Sequence, residues 1–206
     1  MSAPFIKRVV YLVRHGETEW NALGRFQGQL DSPLTCQGRE QADKLRRILA
    51  AQLQPSGSKM HVSPLGRARE TASLLRRRFA CKEPVIEPRL QEVTLGSWDG
   101  LDRFEIDAEW PGALDGATPF DWYFRSPDGE AFEQACARLR DWLRSLPDGE
   151  QGPVIAVSHG LTGRLLRGVY LGLRREEALA LPVPQDAVFR LAGGIVETLT
   201  LPMAAC

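Results

Sequence analysis

The chain has 206 residues, in which 26 Lys and Arg balance 26 Asp and Glu. Its length suggests a single domain over 1–206, and its neutral formal charge argues against a nucleic-acid binder, which usually carries a basic excess. Since no apolar run approaches the ~20 residues of a membrane span and the four cysteines form no C-x-x-C pair, we expect a soluble, cytoplasmic chain with reduced thiols, no membrane partner and no zinc site.

The first predicted element is a strand over Arg8 to Val13. Its sequence, RVVYLV, is nearly all apolar and rich in β-branched residues, which is typical of a strand covered on both faces. The strand runs directly into Arg14-His15-Gly16. A short basic motif therefore stands at the carboxyl end of a buried strand.

Two helices and a second strand follow. Apolar residues at steps of three and four predict a helix from Thr35 to Leu53, with Thr35 as its N-cap. Lys59 to Val62 is a short strand candidate. The next helix is predicted from Leu65 to Phe79, opened by Ser63-Pro64, with Ser as the N-cap and Pro at the first helical position.

The second half of the chain repeats this alternation. We predict a helix over Glu130 to Leu146, a strand over Val154 to Val157, a helix over Leu161 to Leu173, and a closing hairpin of Ala187 to Leu191 with Ile195 to Leu201. Strands that alternate with helices predict an α/β fold, a three-layer α/β/α sandwich with a mostly parallel sheet. The stretch from 101 to 129 fits least well, and its aromatic, Pro and Gly content predicts a partly helical insertion over one end of the sheet.

Three predicted strands end in residues that suit an anion. Arg14-His15-Gly16 follows the first strand, Ser158-His159-Gly160 follows the third, and Arg67 lies one helical turn beyond the second. Ligands of open α/β sheets bind beyond the carboxyl ends of the strands, where helix N-termini also favour negative charge. Two arginines and two imidazoles there predict a phosphoryl site. Taken singly, the same residues are typical of packed histidines and surface arginines, so the residues alone leave both interpretations open.

Five motifs in order resemble one family. They are L-V-R-H-G-E-T-E-W-N (12–21), R-F-Q-G-Q-L-D-S-P-L-T (25–35), S-P-L-G-R-A-R-E-T-A (63–72), E-V-T-L-G-S-W-D-G (92–100) and V-S-H-G (157–160). Over residues 8 to about 173 the chain resembles the histidine phosphatase superfamily, which includes cofactor-dependent phosphoglycerate mutase. The resemblance implies a mixed, mainly parallel sheet between helices, with an antiparallel strand near the end.

The resemblance also implies a role for each matching residue. His15 resembles the nucleophile that becomes phosphohistidine, with its second nitrogen held as N–H by a carbonyl. Arg14, Arg67 and His159 resemble the groups around the phosphoryl oxygens, and Glu92 resembles the general acid and base. Neutral donors are expected from Asn21, Gln27, Gly28 and Gly160. Arg69 is either a further phosphate contact or a solvated helix charge, and neither a metal nor a cofactor is expected.

Three activities are compatible with these motifs. We favour a phosphomonoester phosphatase that takes a small-molecule substrate, over a phosphoglycerate mutase or a weakly catalytic regulatory member. Leu161-Thr162 stands where the mutases place Asn and Ser, and the chain is shorter than the classical mutases. In S-P-D-G-E-A-F (126–132), Ala131 replaces the family's hydroxyl residue. Dimers are common in the family, so a homodimer is expected.

The segment from Leu101 to Tyr123 is expected to determine substrate choice. It follows Glu92 closely and holds many aromatic residues, among them Trp110, Trp122 and Tyr123. If these rings line the pocket, they favour substrates with an apolar or planar group. The alternative is that they pack a helix onto the sheet.

Overall fold

In the computed structural model, the residues described are 8–53, 57–77, 83–118, 120–147 and 152–202. Within these ranges the chain forms one six-stranded sheet in the order β3-β2-β4-β1-β5-β6. Its strands are β1 Val10–Arg14, β2 Lys59–Val62, β3 Val85–Ile86, β4 Val154–Ser158, β5 Val188–Ala192 and β6 Ile195–Leu199. The strands β1 to β4 pair in parallel, and β5 pairs antiparallel with both β1 and β6. The predicted mixed, mainly parallel sheet is confirmed.

Seven α-helices lie within the described ranges. They are α1 Glu19–Ala22, α2 Cys36–Gln52, α3 Gly66–Arg76, α4 Arg103–Glu109, α5 Phe132–Ser145, α6 Gly160–Leu171 and α7 Arg175–Leu179. The prediction of Thr35 as the N-cap of α2 is confirmed, since its side chain accepts from Gly38 N at 3.0 Å. The predicted continuation of α3 to Phe79 lies partly outside the described residues.

Alternating side chains of β1 enter two separate cores. Val10 and Leu12 pack against α5 and α6, represented by Leu139 and Leu165. The core on the other face contains Tyr11 and Val13 of β1, Leu45 and Leu49 of α2, and side chains of α3. Successive side chains of a strand point to opposite faces, so a wholly apolar strand needs helices on both sides. The expected α/β/α layering is confirmed.

The start of α3 differs from the prediction. Ser63 is not its N-cap: the cap position is Leu65, whose side chain makes no capping hydrogen bond. Instead, Asp31 reaches across from another loop and accepts from Gly66 N at 2.5 Å and from Arg67 N at 3.3 Å. A carboxylate from elsewhere in the chain thus supplies the cap, and Ser63 is free for a different contact.

The aromatic segment forms a small core of its own. Trp98 and Ile106 are fully buried together with Leu95 and Leu114, and Trp110 packs on Trp98 with ring centroids 6.2 Å apart. The segment contains α4 and a 3₁₀ turn over Trp122–Phe124. For Trp110 the packing interpretation therefore holds.

Three further points concern Ala131, the cysteines and membrane-spanning helices. Ala131 occupies the N-cap position of α5 and, lacking a hydroxyl, makes no side-chain cap hydrogen bond. Cys36 and Cys136 are free thiols, whereas Cys81 and Cys206 lie outside the described residues. Within the described part of the chain, no helix is long and apolar enough to cross a membrane.

Candidate active site

The residues after β1, β2 and β4 meet at one edge of the sheet. Arg14 and Ser158 are register partners in the parallel pairing of β1 with β4, so His15 and His159 follow at the same level, with ring centroids 5.1 Å apart. A cavity of about 180 Å³ opens there. We call it the main cavity; the expected site residues that line it are Arg14, His15, Asn21, Gln27, Gly28, Arg67, Glu92 and Gly160.

His15 is buried and held in one tautomer by its two neighbours. Its Nδ1 lies 2.7 Å from the carbonyl oxygen of Gly16, which can only accept, so Nδ1 carries the proton. Its Nε2 accepts from Arg67 Nε at 3.3 Å and therefore presents a lone pair. Burial, together with the positive charges of Arg67 and Arg14, holds the pKa of His15 well below 6.5. The ring is neutral at pH 7 and suited to nucleophilic attack.

Backbone contacts fix the loop that carries His15. A Cβ on Gly16 would lie 2.2 Å from the carbonyl oxygen of Gly38, and a Cβ on Gly38 would lie 2.0 Å from that of Glu17. Since both distances are far below van der Waals contact, only glycine fits at either position. The start of α2 therefore packs backbone to backbone against the histidine loop.

Arg67 ties the loop from Gly28 to Asp31 to the nucleophile. Its Nη2 donates to Gly28 O at 2.7 Å, and its Nη1 donates to Leu30 O at 2.6 Å and to Asp31 at 2.9 Å. Burial lowers its pKa, while Glu92 and Asp31 oppose the shift. A buried cation that is held this firmly keeps its geometry when an anion arrives.

Three arginines bind consecutive carbonyls of one segment. Arg14 donates to Val183 O at 2.7 Å, Arg164 donates to Leu181 O at 2.8 Å, and Arg167 donates to Pro182 O. We call residues 181–183 the carbonyl strap. Neither Arg14 nor Arg164 forms an ion pair within the described ranges, so both keep positive charge available to the main cavity.

Arg14 has a buried donor that suits an oxyanion. Its Nε is buried without a hydrogen-bond partner in the described part of the chain, and burial lowers its pKa. Buried donors are normally paired. The guanidinium lies against Gly160, where a Cβ would approach it to 3.3 Å. An oxyanion in the cavity would satisfy this donor.

His159 lies behind His15 rather than in the wall of the main cavity. Its Nε2 is 2.6 Å from Ser63 Oγ, the contact that Ser63 makes instead of capping α3. Its Nδ1 is buried and has no partner among the described residues. Burial and the nearby Arg67 hold its pKa well below 6.5, so the ring is neutral and leaves one nitrogen for a ligand.

Glu92 joins the cavity to the N-terminus of α6. Oε1 accepts from Val93 N at 3.0 Å, from Thr162 N at 2.9 Å and from the Thr162 hydroxyl at 2.8 Å. Oε2 accepts only from Leu161 N, at 3.1 Å, among the described residues. One lone pair of Oε2 is therefore open to a proton, and the helix N-terminus fixes the direction in which that oxygen faces.

Of the other predicted site residues, some line the main cavity and one does not. Gln27 is buried and donates to Thr18 Oγ1 at 2.7 Å, whereas Asn21 accepts from Gln185 Nε2 at 3.3 Å. Gly28 has φ +50°, and a Cβ there would lie 1.5 Å from Asp99 Oδ1, so its place in the wall requires glycine. Arg69 is exposed on α3 and does not line the main cavity.

Several wall residues were not found from the sequence. Arg25 and Arg164 bring the arginines that line the cavity to four, against Glu92 as the one carboxylate among the described wall residues. The signal for Arg164 was available, since it lies one helical turn past Gly160 on a helix that starts at the site. Arg25 opens the R-F-Q-G-Q-L-D-S-P-L-T motif, but its place in the wall was not predicted, because Glu105 and the Gly100 carbonyl, which position it, are distant in sequence.

Comparison with known proteins agrees with this geometry. A family model described as "Histidine phosphatase superfamily (branch 1)" matches residues 10–193. "Probable phosphoglycerate mutase GpmB" of Photorhabdus laumondii is 42% identical over 175 residues, covering 80% of this chain and 75% of that protein. The protein of the same name from Serratia proteamaculans is 37% identical over 213 residues, covering 92% and 91%.

Solved structures are similar over most of their length. A mycobacterial glucosyl-3-phosphoglycerate phosphatase in complex with VO3 has a TM-score of 0.74 and 31% identity, covering 96% of this chain and 100% of that chain. The alpha-ribazole phosphatase of Shigella flexneri has a TM-score of 0.75 and 28% identity, covering 88% and 89%. These relatives thus include both proteins named as mutases and proteins named as phosphatases.

Proposed function

The chain belongs to the histidine phosphatase superfamily, branch 1, and from that premise we propose that it hydrolyses phosphate monoesters through a phosphohistidine on His15, without a metal ion. The observation that carries the proposal is the neutral His15 ring, whose Nε2 lone pair faces a cavity lined by four arginines. A neutral nucleophile beside fixed positive charge suits attack on a phosphate dianion.

In the first step, Nε2 of His15 attacks phosphorus in line with the ester oxygen. The P–O bond breaks, and its electron pair stays on the leaving oxygen, which takes a proton from Oε2 of Glu92. Arg14 and Arg67 stabilise the charge that develops on the phosphoryl oxygens. The contact between Arg67 Nε and His15 Nε2 must give way to phosphorus, and at 3.3 Å it is weak.

In the second step, Glu92, now a carboxylate, removes a proton from water. The water oxygen bonds to phosphorus, the P–N bond breaks, and His15 regains its lone pair. The partner of Nδ1–H does not change during either step, since Gly16 O holds it throughout. His159 does not line the main cavity, but its Nδ1, which has no partner among the described residues, is the nitrogen left for the phosphoryl contact that the resemblance assigns to this residue.

Two residues after His159 favour hydrolysis over mutase chemistry. Leu161 places an apolar side chain in the cavity wall. Thr162 Oγ1 lies 2.7 Å from Gln91 O and 2.8 Å from Glu92 Oε1, so its one proton is shared between these two acceptors and is not directed to a second phosphate. Mutase action is the second candidate, because Arg25 and Arg164 add positive charge beyond the phosphoryl pocket and relatives carry that name.

A panel of phosphate monoesters decides between the two candidates. It includes 3-phosphoglycerate with and without 2,3-bisphosphoglycerate. We expect phosphate release from several esters without the bisphosphate, and inhibition by vanadate. Isomerisation of 3-phosphoglycerate that depends on the bisphosphate would reverse the choice. Absence of both activities would leave the weakly catalytic, regulatory interpretation.

A further inference from the structure

A second cavity adjoins the main one. It has a volume of about 320 Å³ and shares three aromatic wall residues, Phe26, Trp122 and Tyr123, with the main cavity. Its other walls include Leu114 and Ala117. We call it the side chamber. A cavity that shares a wall with the phosphoryl pocket is close enough to receive the rest of a substrate whose phosphoryl group lies in the main cavity.

The shared wall is a continuous stack of rings. The Trp122 ring lies 4.1 Å from Phe26 and 4.0 Å from Tyr123, measured between centroids. Since each of the three residues lines both cavities, their rings form the boundary that the two cavities share. Aromatic faces bind flat, apolar groups by stacking and by burial of apolar area.

Polar contacts connect the described residues on either side of the chamber wall. Arg125 donates to Asp115 O at 2.7 Å and to Gly116 O at 3.1 Å. Asp121 accepts from the backbone N–H and the hydroxyl of Thr118 at 2.7 and 2.9 Å. These contacts hold the described wall residues in place before a ligand binds, which reduces the entropic cost of binding.

The two cavities differ in chemistry. Four arginines give the main cavity its charge, whereas the described lining of the side chamber has one charged residue, Arg103, which is exposed. A small, highly charged leaving group would gain nothing from the chamber. An aromatic leaving group would gain free energy by moving from water into contact with the apolar wall of the chamber.

We propose that the side chamber is the leaving-group site, and that the preferred substrates are monoesters whose leaving group is an aromatic or flat apolar body. This inference rests on the proposed phosphatase activity. It assigns Ala117, which lines the side chamber and not the main cavity, to substrate selection. The phosphoryl group occupies the main cavity, and the ring of the leaving group passes along Trp122.

The test is to fill the chamber. Ala117→Leu adds bulk there, and kcat/KM is measured for 1-naphthyl phosphate and ethyl phosphate. The expected result is a fall of at least about tenfold in the naphthyl-to-ethyl ratio, or about 1.4 kcal/mol of discrimination. The matched control is Ala51→Leu, the same change on the exposed face of α2, where the ratio should equal that of the wild type.

A measurement on the wild type keeps the inference testable if Ala117→Leu fails to fold. Phenylphosphonate and methylphosphonate resist hydrolysis, and phenylphosphonate should inhibit at least about tenfold more tightly. Equal inhibition, or an unchanged ratio in a folded Ala117→Leu, overturns the leaving-group site and leaves the phosphatase proposal intact. Failure to hydrolyse any ester overturns both.

Discussion

The chemistry proposed for His15 depends on two contacts to a single ring. Gly16 O fixes the proton on Nδ1, and Arg67 Nε faces the lone pair of Nε2. The role of His15 was predicted from the resemblance of L-V-R-H-G-E-T-E-W-N to the family motif, since the R-H-G triplet alone left a packed histidine equally open, and it stays a prediction. The contact between His159 and Ser63 was not predictable, because local sequence makes Ser63 a helix cap and only the pairing of β2 with β4 brings its hydroxyl to the ring.

His15→Ala should lower kcat by about 10³-fold or more, because the covalent route is lost. Quenching the wild type in alkali during turnover should trap acid-labile, base-stable phosphohistidine, which the variant lacks. The control is His61→Ala, which removes a half-buried histidine that accepts from Trp142 and lies outside the cavity. It should still form phosphohistidine. Label on serine or aspartate would disprove the assignment.

Glu92→Gln should affect substrates according to their leaving groups. An alkoxide needs the proton of Glu92, whereas p-nitrophenolate leaves unaided, so kcat/KM should fall about 10²-fold or more for an alkyl phosphate and less than about tenfold for p-nitrophenyl phosphate. The ratio kcat/KM reports the step that forms phosphohistidine and is not masked by slow hydrolysis. Equal losses for both esters would restrict Glu92 to capping α6.

At the scale of elements, the buried strands and the start of α2 were predicted, whereas the two-residue strand β3 and the start of α3 were not. Wholly apolar runs located β1 and β4 to within two residues, since burial on both faces leaves a strong local signal. The start of α3 depends on Asp31, a cap supplied from another loop. The carbonyl strap was also unpredictable, because nothing in the sequence links Leu181 to Arg164 before α6 and the strap pack together.

Gly38→Ala should destabilise the protein although alanine favours helices by about 1 kcal/mol. The new Cβ would meet Glu17 O at 2.0 Å, so we expect a loss of at least about 2 kcal/mol in the free energy of unfolding, with reduced activity as the histidine loop shifts. Gly163→Ala is the control, since its Cβ would meet only Leu12 Cδ2, at 3.6 Å. Denaturant unfolding should show that it is neutral or stabilising. Equal effects of both substitutions would contradict the close backbone contact.

The whole molecule is neutral, but its charge is unevenly placed. Formal charges cancel over 206 residues, yet four arginines line one cavity with a single carboxylate among the described wall residues. Composition could not reveal this concentration, because it depends on which helices and loops meet at the sheet edge. The balance of total charge argued against a nucleic-acid binder, but it carried no information about a local anion site.

The free energy of unfolding should fall as the pH drops below about 6.5. The folded state holds the pKa of His15 and of His159 well below that ordinary value, mainly by burial. Between the two values the unfolded chain binds protons that the folded chain does not, so each histidine lowers stability by up to about 1.4 kcal/mol per pH unit. Above pH 7 both states are neutral at these sites, and the contribution vanishes.

Denaturant unfolding at a series of pH values measures this slope. A His15→Asn, His159→Asn double variant should show a shallower fall than the wild type between about pH 6.5 and 5. If the slopes are the same, the two rings titrate alike in the folded and unfolded chains, and the neutral state assigned to His15 is wrong.

The position of β1 in the sheet sets the order in which the site can be assembled. This strand, which leads into His15, is the first described strand to be synthesised, but both of its neighbours, β4 and β5, lie far along the chain. Pairing across such separations slows folding, because long loops must close first. The described lining of the main cavity ends at Val183, so β5 adds nothing to its wall. A nascent chain that stops short of Val188 would hold every residue with a proposed chemical role, yet the strand before the nucleophile would still lack one partner.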